Sequence, residues 1–400
     1  MGRPASLVKP APDDEGPPVT APLRVGVMLP RDLHHTRVLE FARRAEELGF
    51  DELWVVEDLG FRGGMAQAAA VLAVTTRIRV GIGILPAAAR NVAFEAMEIA
   101  TLAQLFPGRL DVGIGHGMPA WMRSVGAWPT RPLRYLSDHT TALRSLLRGT
   151  RVGSPPPPTG EAPDAAAGRP ANAPAAVVGS AATTGLDAAA VHQANPGTGA
   201  SPARPGGTAS PGQRPGPVAG LQGVGLEPSS VPEVVPPVLL GVRGPKSLAL
   251  SGRVADGTVL AEPTTPEYAR AALEAISASG PHALVAYNVA AVADDTAAAL
   301  ELARPGLEYV GDSGWAPHIA PLDFAADFAA LRARFSDDDR AGFAAALPDE
   351  WVARLALAGT PAEVRARHTE LAEAGVTSSV LIPVGTDTFA ALESLSLILP

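Results

Sequence analysis

Ile78-Arg79-Val80-Gly81-Ile82-Gly83-Ile84-Leu85, then the apolar stretch Val92 to Leu105, then Leu110-Asp111-Val112-Gly113-Ile114-Gly115: this run decides the fold. Each short segment is apolar at nearly every position and carries glycines toward its end, which suits a parallel strand covered by helices. Working outward, the same alternation repeats. Leu23 to Leu29 and Glu52 to Val56 precede it as strands, with helical patterns at Thr36 to Leu48 and Gly64 to Val74; Pro132 to Leu147 follows it. Further on come Val238 to Val242, Thr258 to Ala261, Leu284 to Val292 and Ser379 to Val384 as strands. Between them lie helical stretches at Pro245 to Val254, Pro266 to Ala278 and Thr296 to Ala374, with a last helix from Thr388. Eight strands alternating with helices predict an α/β chain folded as a (β/α)8 TIM barrel, ahead of an open doubly wound sheet.

The other residues divide by composition. Gly 41 and Pro 40 make about a fifth of the 400 residues, and much of that excess falls between Gly153 and Val234, a tract of Ala, Pro, Gly, Ser and Thr. Such a tract cannot bury enough apolar surface to offset its chain entropy. The expected organisation is a disordered tail over 1–22, the first part of the barrel over 23–152, a low-complexity insertion over 153–234 between strands four and five, and the second part over 235–400. About 296 residues remain for the barrel, a normal size.

Net charge is −9 and the basic residues are scattered, which argues against nucleic acid as a partner. Cys 0 excludes disulfides, a thiolate nucleophile and cysteine-ligated metals, and makes a reducing cytoplasm the expected location. No apolar run approaches the roughly 20 residues of a membrane helix, and Met1 to Ala21 lacks the apolar region of a secretory signal. The histidines show no metal-ligand spacing, so no metal is expected, and no G-x-S-x-G elbow points to a serine hydrolase.

In a barrel the chemistry collects at the C-terminal ends of the strands. Strand two ends in Glu57-Asp58, carboxylates that could hydrogen-bond a cofactor ring, shuttle a proton or cap the next helix. Strand three carries Gly81, Gly83 and Ile84, where glycines make room for a flat ligand or for a bend. After strand four, His116 between Gly115 and Gly117 is a candidate acid or base, or a structural hydrogen-bonding group. The segment Gly115 to Ala120 also fits G-x-G-x-x-A, but no suitable acidic strand end follows it. Strand five ends in Gly241-Val242-Arg243-Gly244-Pro245-Lys246, where a glycine loop, a helix start and two cations make an anion site or an ordinary cap.

Taken in order, Gly49 to Asp58, Thr75 to Ile84, Glu98 to Leu102, Pro107 to Gly117, Gly244-Pro245-Lys246 and Ala255-Asp256-Gly257 closely resemble the bacterial luciferase-like flavin- and F420-dependent oxidoreductases. The resemblance covers essentially the whole barrel. It implies coenzyme F420 or FMN, with the ring against the ends of strands two to four and the phosphate at the helix after strand five. It further implies a non-proline cis peptide at Gly83-Ile84 backing the ring.

The F420 enzymes of the family look nearest, which implies hydride transfer to or from a small organic substrate, with Glu57 or His116 handling the proton. The remaining cofactor contacts would be Asp58, Gly83, Ile84, Gly115, Gly117, Gly241, Arg243, Gly244, Pro245 and Lys246. An alternative is an FMN monooxygenase using reduced flavin and O2, with a flavin reductase as partner. A non-catalytic flavin-binding or scaffold barrel is the reading of another class. Homodimers are usual in the family. The chain departs from it in carrying the Ala/Pro/Gly tract where a small lid is usual, and Leu59 where F420 relatives often place a histidine.

Overall fold

The computed structural model describes residues 22–153 and 216–400. Most of the expected tail, and residues 154–215 of the expected insertion, lie outside the described residues. Among the described residues nine parallel strands form: β1 (Arg24–Met28), β2 (Glu52–Val55), β3 (Arg79–Pro86), β4 (Leu110–Gly115), β5 (Val238–Gly241), β6 (Gly257–Leu260), β7 (Ala283–Val292), β8 (Leu357–Gly359) and β9 (Ser378–Pro383). Consecutive strands pair from β1 to β7, and β9 pairs with both β7 and β1, so eight strands close a ring. The ninth, β8, pairs with Ala290 to Val292, beyond the part of β7 that meets β6.

The outer layer begins with α1 (Val38–Leu48), α2 (Gly64–Val74), α3 (Val92–Leu105), α4 (Pro119–Ser124) and α5 (Pro132–Leu147). Beyond β5 follow α6 (Pro245–Val254), α7 (Pro266–Ile276) and α8 (Thr296–Ala303). Local chemistry sets their ends. In α1, Val38, Phe41, Ala42 and Ala45 are buried on one side, and the helix stops at Gly49, whose φ of +94° is open to glycine. Asn91 caps α3 and Thr265 caps α7 through side-chain oxygens.

Two expectations are corrected. Residues 216–234 belong to the folded unit and not to the insertion: Val152 and Val224 form an antiparallel bridge, and Val218, Leu221 and Leu226 pack on the core. Alanine- and proline-rich composition concealed those few apolar anchors. The stretch 296–374 is not continuous helix. Pro305, Pro317, Pro321 and Pro348 break it into short pieces, α9 (Ala316–Ile319), α10 (Ala325–Arg332), α11 (Arg340–Ala345) and α12 (Asp349–Leu355), before β8 and α13 (Pro361–Glu373). These pieces share a separate apolar cluster that includes Leu307, Phe328 and Phe343. A final helix, α14 (Thr388–Ser396), closes the chain on α1 and β9.

Many motifs that carry the family resemblance lie at the N-terminal face, opposite the expected site. Glu46 accepts from the backbone N–H groups of Thr76, Arg77 and Ile78 at 2.8, 2.6 and 2.9 Å, which holds its carboxyl below the usual range although burial opposes the shift. Arg109 donates to the carbonyls of Thr75 and Ile78. Asp51 and Asp256 accept from the first strand amides of Val25 and Val238. Tying the N-terminal end of a barrel in this way serves stability and leaves the other end free for chemistry.

Candidate active site at the barrel mouth

The interior of the ring is filled by Trp54, Leu239, Val259, Val285, Tyr287 and Val380. The glycines are what let these large side chains fit. A Cβ on Gly81 would lie 2.2 Å from the Trp54 indole, and one on Gly83 would lie 2.3 Å from the Tyr287 hydroxyl. One layer higher, Ile84 takes the same kind of space. Added Cβ atoms on Gly115 and Gly241 would stand 2.7 and 2.4 Å from its side chain, and one on Gly113 would stand 3.0 Å from it. The glycine-rich ends of β4 and β5 thus accommodate one isoleucine of β3, which spreads over both as the floor of the mouth.

The Gly83-Ile84 peptide is cis, as the resemblance implied, and the β3–β4 register shifts there between Ile82 and Leu85. Below it the Tyr287 hydroxyl is buried, with no hydrogen-bond partner among the described residues. Burial, and the nearby carboxyls of Glu52 and Glu262, push that hydroxyl well above its ordinary value. An orphaned donor costs about 1–3 kcal/mol, so a polar ring edge brought to this floor would meet a group in need of a partner. Gly117, with φ +69°, turns the chain away beside Met122 and Pro86.

The expected acid–base residues are placed differently from one another. Glu57 receives both Arg90 guanidinium nitrogens, at 2.7 and 2.5 Å, and the Gly64 amide at the start of α2, at 2.7 Å. Its two oxygens are occupied, and it ties the β2 and β3 loops together. Asp58 pairs with Arg31 at 2.6 Å. His116 is half-buried and faces the helix layer, where it lines a cavity of about 10 Å³ with Ala87, Ala88, Pro129, Pro132, Tyr135 and Leu136. Burial lowers its pKa, so the ring is a neutral acceptor at pH 7.

The two cations after β5 also separate. Lys246 is exposed in the first turn of α6, and among the described residues its ammonium has no ion-pair partner, so with Gly244 and Pro245 it is placed to meet an anion. Arg243 is half-buried, lies over the Trp315 ring at 4.3 Å and donates to the Gly314 carbonyl at 3.3 Å. Its burial lowers its pKa against the pull of Glu262.

Glu262 was missed by the sequence reading. It follows β6 in a segment, Ala261 to Pro266, that reads only as a link to α7. The signal lay elsewhere: Asn288, a lone amide in the apolar run of β7, must be paired when buried, and it clamps Thr264 by donating to its carbonyl and accepting from its N–H. Around the mouth stand exposed Leu59, Phe61, Met118 and Tyr309, an apolar rim above a charged interior.

A family model described as luciferase-like monooxygenase matches residues 19–195 and 205–378. The chain belongs to the luciferase-like monooxygenase family. A 5,10-methylenetetrahydromethanopterin reductase of Archaeoglobus fulgidus is 22% identical over 382 residues, covering 91% of this chain and 95% of that protein. The coenzyme F420-dependent tetrahydromethanopterin reductase of Methanopyrus kandleri superposes with a TM-score of 0.64 at 18% identity, covering 94% of this chain and 98% of that one. The FMN complex of the oxygenating constituent of 3,6-diketocamphane monooxygenase from Pseudomonas putida gives 0.56 at 15%, covering 94% and 96%. This luciferase-like barrel therefore shares its fold with proteins using either ring. No helix among the described residues is long and apolar enough to cross a membrane.

Proposed function

We propose that this luciferase-like protein is an F420-dependent oxidoreductase that transfers a hydride to or from a small organic substrate. The observation that carries the proposal is the floor of the mouth: Ile84 lying over Gly113, Gly115 and Gly241, with the unpartnered Tyr287 hydroxyl beneath Gly83. The likeness in fold, over nearly the whole chain, to a coenzyme F420-dependent reductase favours F420 over FMN. When bound, the cofactor supplies the hydride chemistry, and the protein supplies orientation, dryness and proton handling.

Gly83, Ile84, Gly115, Gly117 and Gly241 would support the ring, while Gly244, Pro245 and Lys246 would take the phosphate at the start of α6. Glu57 would act by holding Arg90 and α2 in place, with Asp58 holding Arg31. His116, turned toward α5, would support the β4 loop from behind and not reach the ring. The Leu59, Phe61, Met118 and Tyr309 rim suits a substrate with an apolar body. Titration of the protein with F420 and with FMN, followed by fluorescence, tests the reading. Micromolar F420 binding is expected; tighter FMN binding moves the assignment to an FMN monooxygenase fed by a flavin reductase, and micromolar binding of neither overturns the enzyme reading.

A homodimer is proposed through α2 and α3. Phe94, Met97 and Leu105 of α3 are 66%, 54% and 65% exposed, and Ala66 and Ala73 of α2 are exposed beside them. α2 is apolar nearly all round and α3 adds three large exposed apolar side chains, a surface that a second copy would cover. Sedimentation velocity is expected to give twice the chain mass of 40.9 kDa for the wild type and the single mass for Phe94→Glu. A monomeric wild type would dispose of the proposed interface.

A further inference from the structure

Glu262 is held by its surroundings to an unusual degree. Trp315 Nε1 donates to its own carbonyl at 2.7 Å, and His318 Nδ1 lies 3.0 Å from the carbonyl of Pro263. That acceptor requires His318 to carry its proton on Nδ1, consistent with burial lowering the ring's pKa to about 3. Asn288 then brackets Thr264 from both sides, at 2.8 and 3.1 Å. Three consecutive residues are thus fixed by side chains from β7 and from the α9 region. Such support is what a side chain needs if it is to present one group in one place.

The neighbours of the carboxyl define where it points. Arg243 after β5, Asp58 after β2 and Arg31 after β1 are the charged groups that act on it, and Tyr287 of β7 feels its charge from the interior. Glu262 itself lies just beyond β6, and the three charged groups likewise follow β1, β2 and β5, so the carboxyl belongs to the C-terminal mouth that Gly83 and Ile84 also line. Arg31 is already paired with Asp58, and Arg243 is engaged by Gly314 and the Trp315 face. Among the described residues Glu262 makes no ion pair at salt-bridge distance.

We propose that Glu262 is the proton-bearing group of the mouth, presenting a neutral carboxyl as hydrogen-bond donor to a carbonyl oxygen of the ring or substrate resting against Gly83 and Ile84. Burial raises its pKa and outweighs the opposing hydrogen bond from its own backbone N–H and the pull of Arg243 and Arg31, with Asp58 adding to the rise. A carboxyl kept neutral in this way can donate where a carboxylate could only repel. During reduction of a carbonyl, hydride would arrive at carbon while the Glu262 proton passes to oxygen, leaving an alcohol and a carboxylate that solvent reprotonates. The role rests on the proposed cofactor reading, but the proton itself can be sought without any ligand.

Infrared difference spectra of the ligand-free wild type against Glu262→Gln, taken from pH 4 to pH 9, read that proton. A protonated-acid band is expected to survive after the surface carboxyls have ionised and to be missing from the variant. Ionisation of Glu262 together with the surface carboxyls overturns the proposal, whatever binds. With bound F420 or FMN, the ratio of wild-type to Glu262→Gln dissociation constants cancels the ligand's own titration. It is expected to lie near one at low pH and to rise about tenfold as Glu262 ionises, since glutamine keeps a donor. A ratio constant within about twofold across the range, in a protein that binds the cofactor, removes Glu262 from ligand contact. Failure of both cofactors to bind, with the infrared band present, would instead count against the cofactor reading.

Discussion

Gly113→Ala is expected to destroy cofactor binding and to destabilise the barrel by about 3 kcal/mol, more than a single methyl group ordinarily costs. The new Cβ would stand 2.4 Å from the carbonyl oxygen of Ile82 and 3.0 Å from Ile84 Cγ2. A backbone oxygen cannot rotate aside, so β3 must move where its register shifts, and the floor moves with it. Gly241→Ala provides the control. There the close atom is Ile84 Cγ2 at 2.4 Å and the next is at 3.5 Å, all within one side chain. Adding Ile84→Ala should therefore relieve Gly241→Ala, with an interaction of about 1 kcal/mol or more, and should leave most of the Gly113→Ala defect. Denaturant unfolding of the wild type, the three single variants and the two double variants gives the two cycles. Additive effects for Gly241→Ala and Ile84→Ala would show that the isoleucine is not what these glycines accommodate.

That distinction bears on what the sequence could reveal. The apolar runs and the glycine punctuation specify the strands because a parallel barrel buries both faces of each, and the eight-membered ring follows from the count. Why Gly113, Gly115 and Gly241 are needed was not legible, because the Ile82 carbonyl crowds the first and Ile84 reaches the other two from β3, and spacing along the chain records no such neighbours. A flat ligand and a filling side chain ask for the same residue. His116 shows a related limit. Glycines on both sides mark a tight turn beside the mouth, but alternation along β4 carries its ring toward α5, since Gly113 and Gly115 face inward. Glu57 was found as a strand-end carboxylate, yet its engagement depends on Arg90, which lies 33 residues on. Glu262 was overlooked because its placement comes from Asn288, Trp315 and His318, two of them in a stretch whose prolines were read through as helix.

Removing the carboxyl at the opposite end of the barrel should produce a large effect on stability with no direct effect on the mouth. Glu52 is fully buried, accepts from Trp54 Nε1 at 2.7 Å and Ser378 Oγ at 2.5 Å, and pairs with Arg24 Nε at 2.8 Å. Glu52→Ala leaves the indole and the hydroxyl without an acceptor and opens a void beside the largest buried side chain, for a loss of about 2–4 kcal/mol. Arg24 is 35% exposed and can turn to water, so its lost pairing adds little. Glu52→Gln retains an acceptor for the indole and should lose less. The two can be separated by pH. Burial, reinforced by Asp111, raises the Glu52 pKa above its ordinary 4.5 despite the pull of Arg24, so the folded state holds this proton more tightly than the unfolded chain. The stability it contributes is therefore complete below about 4.5 and declines as pH rises through the raised folded value. Across that window the wild type should lose stability relative to Glu52→Gln, as read from denaturant midpoints at matched pH. A wild-type advantage that grows with pH would mean that the Arg24 pairing outweighs burial, and an alanine variant within about 1 kcal/mol of the wild type would mean that Glu52 is not what holds Trp54 and Ser378.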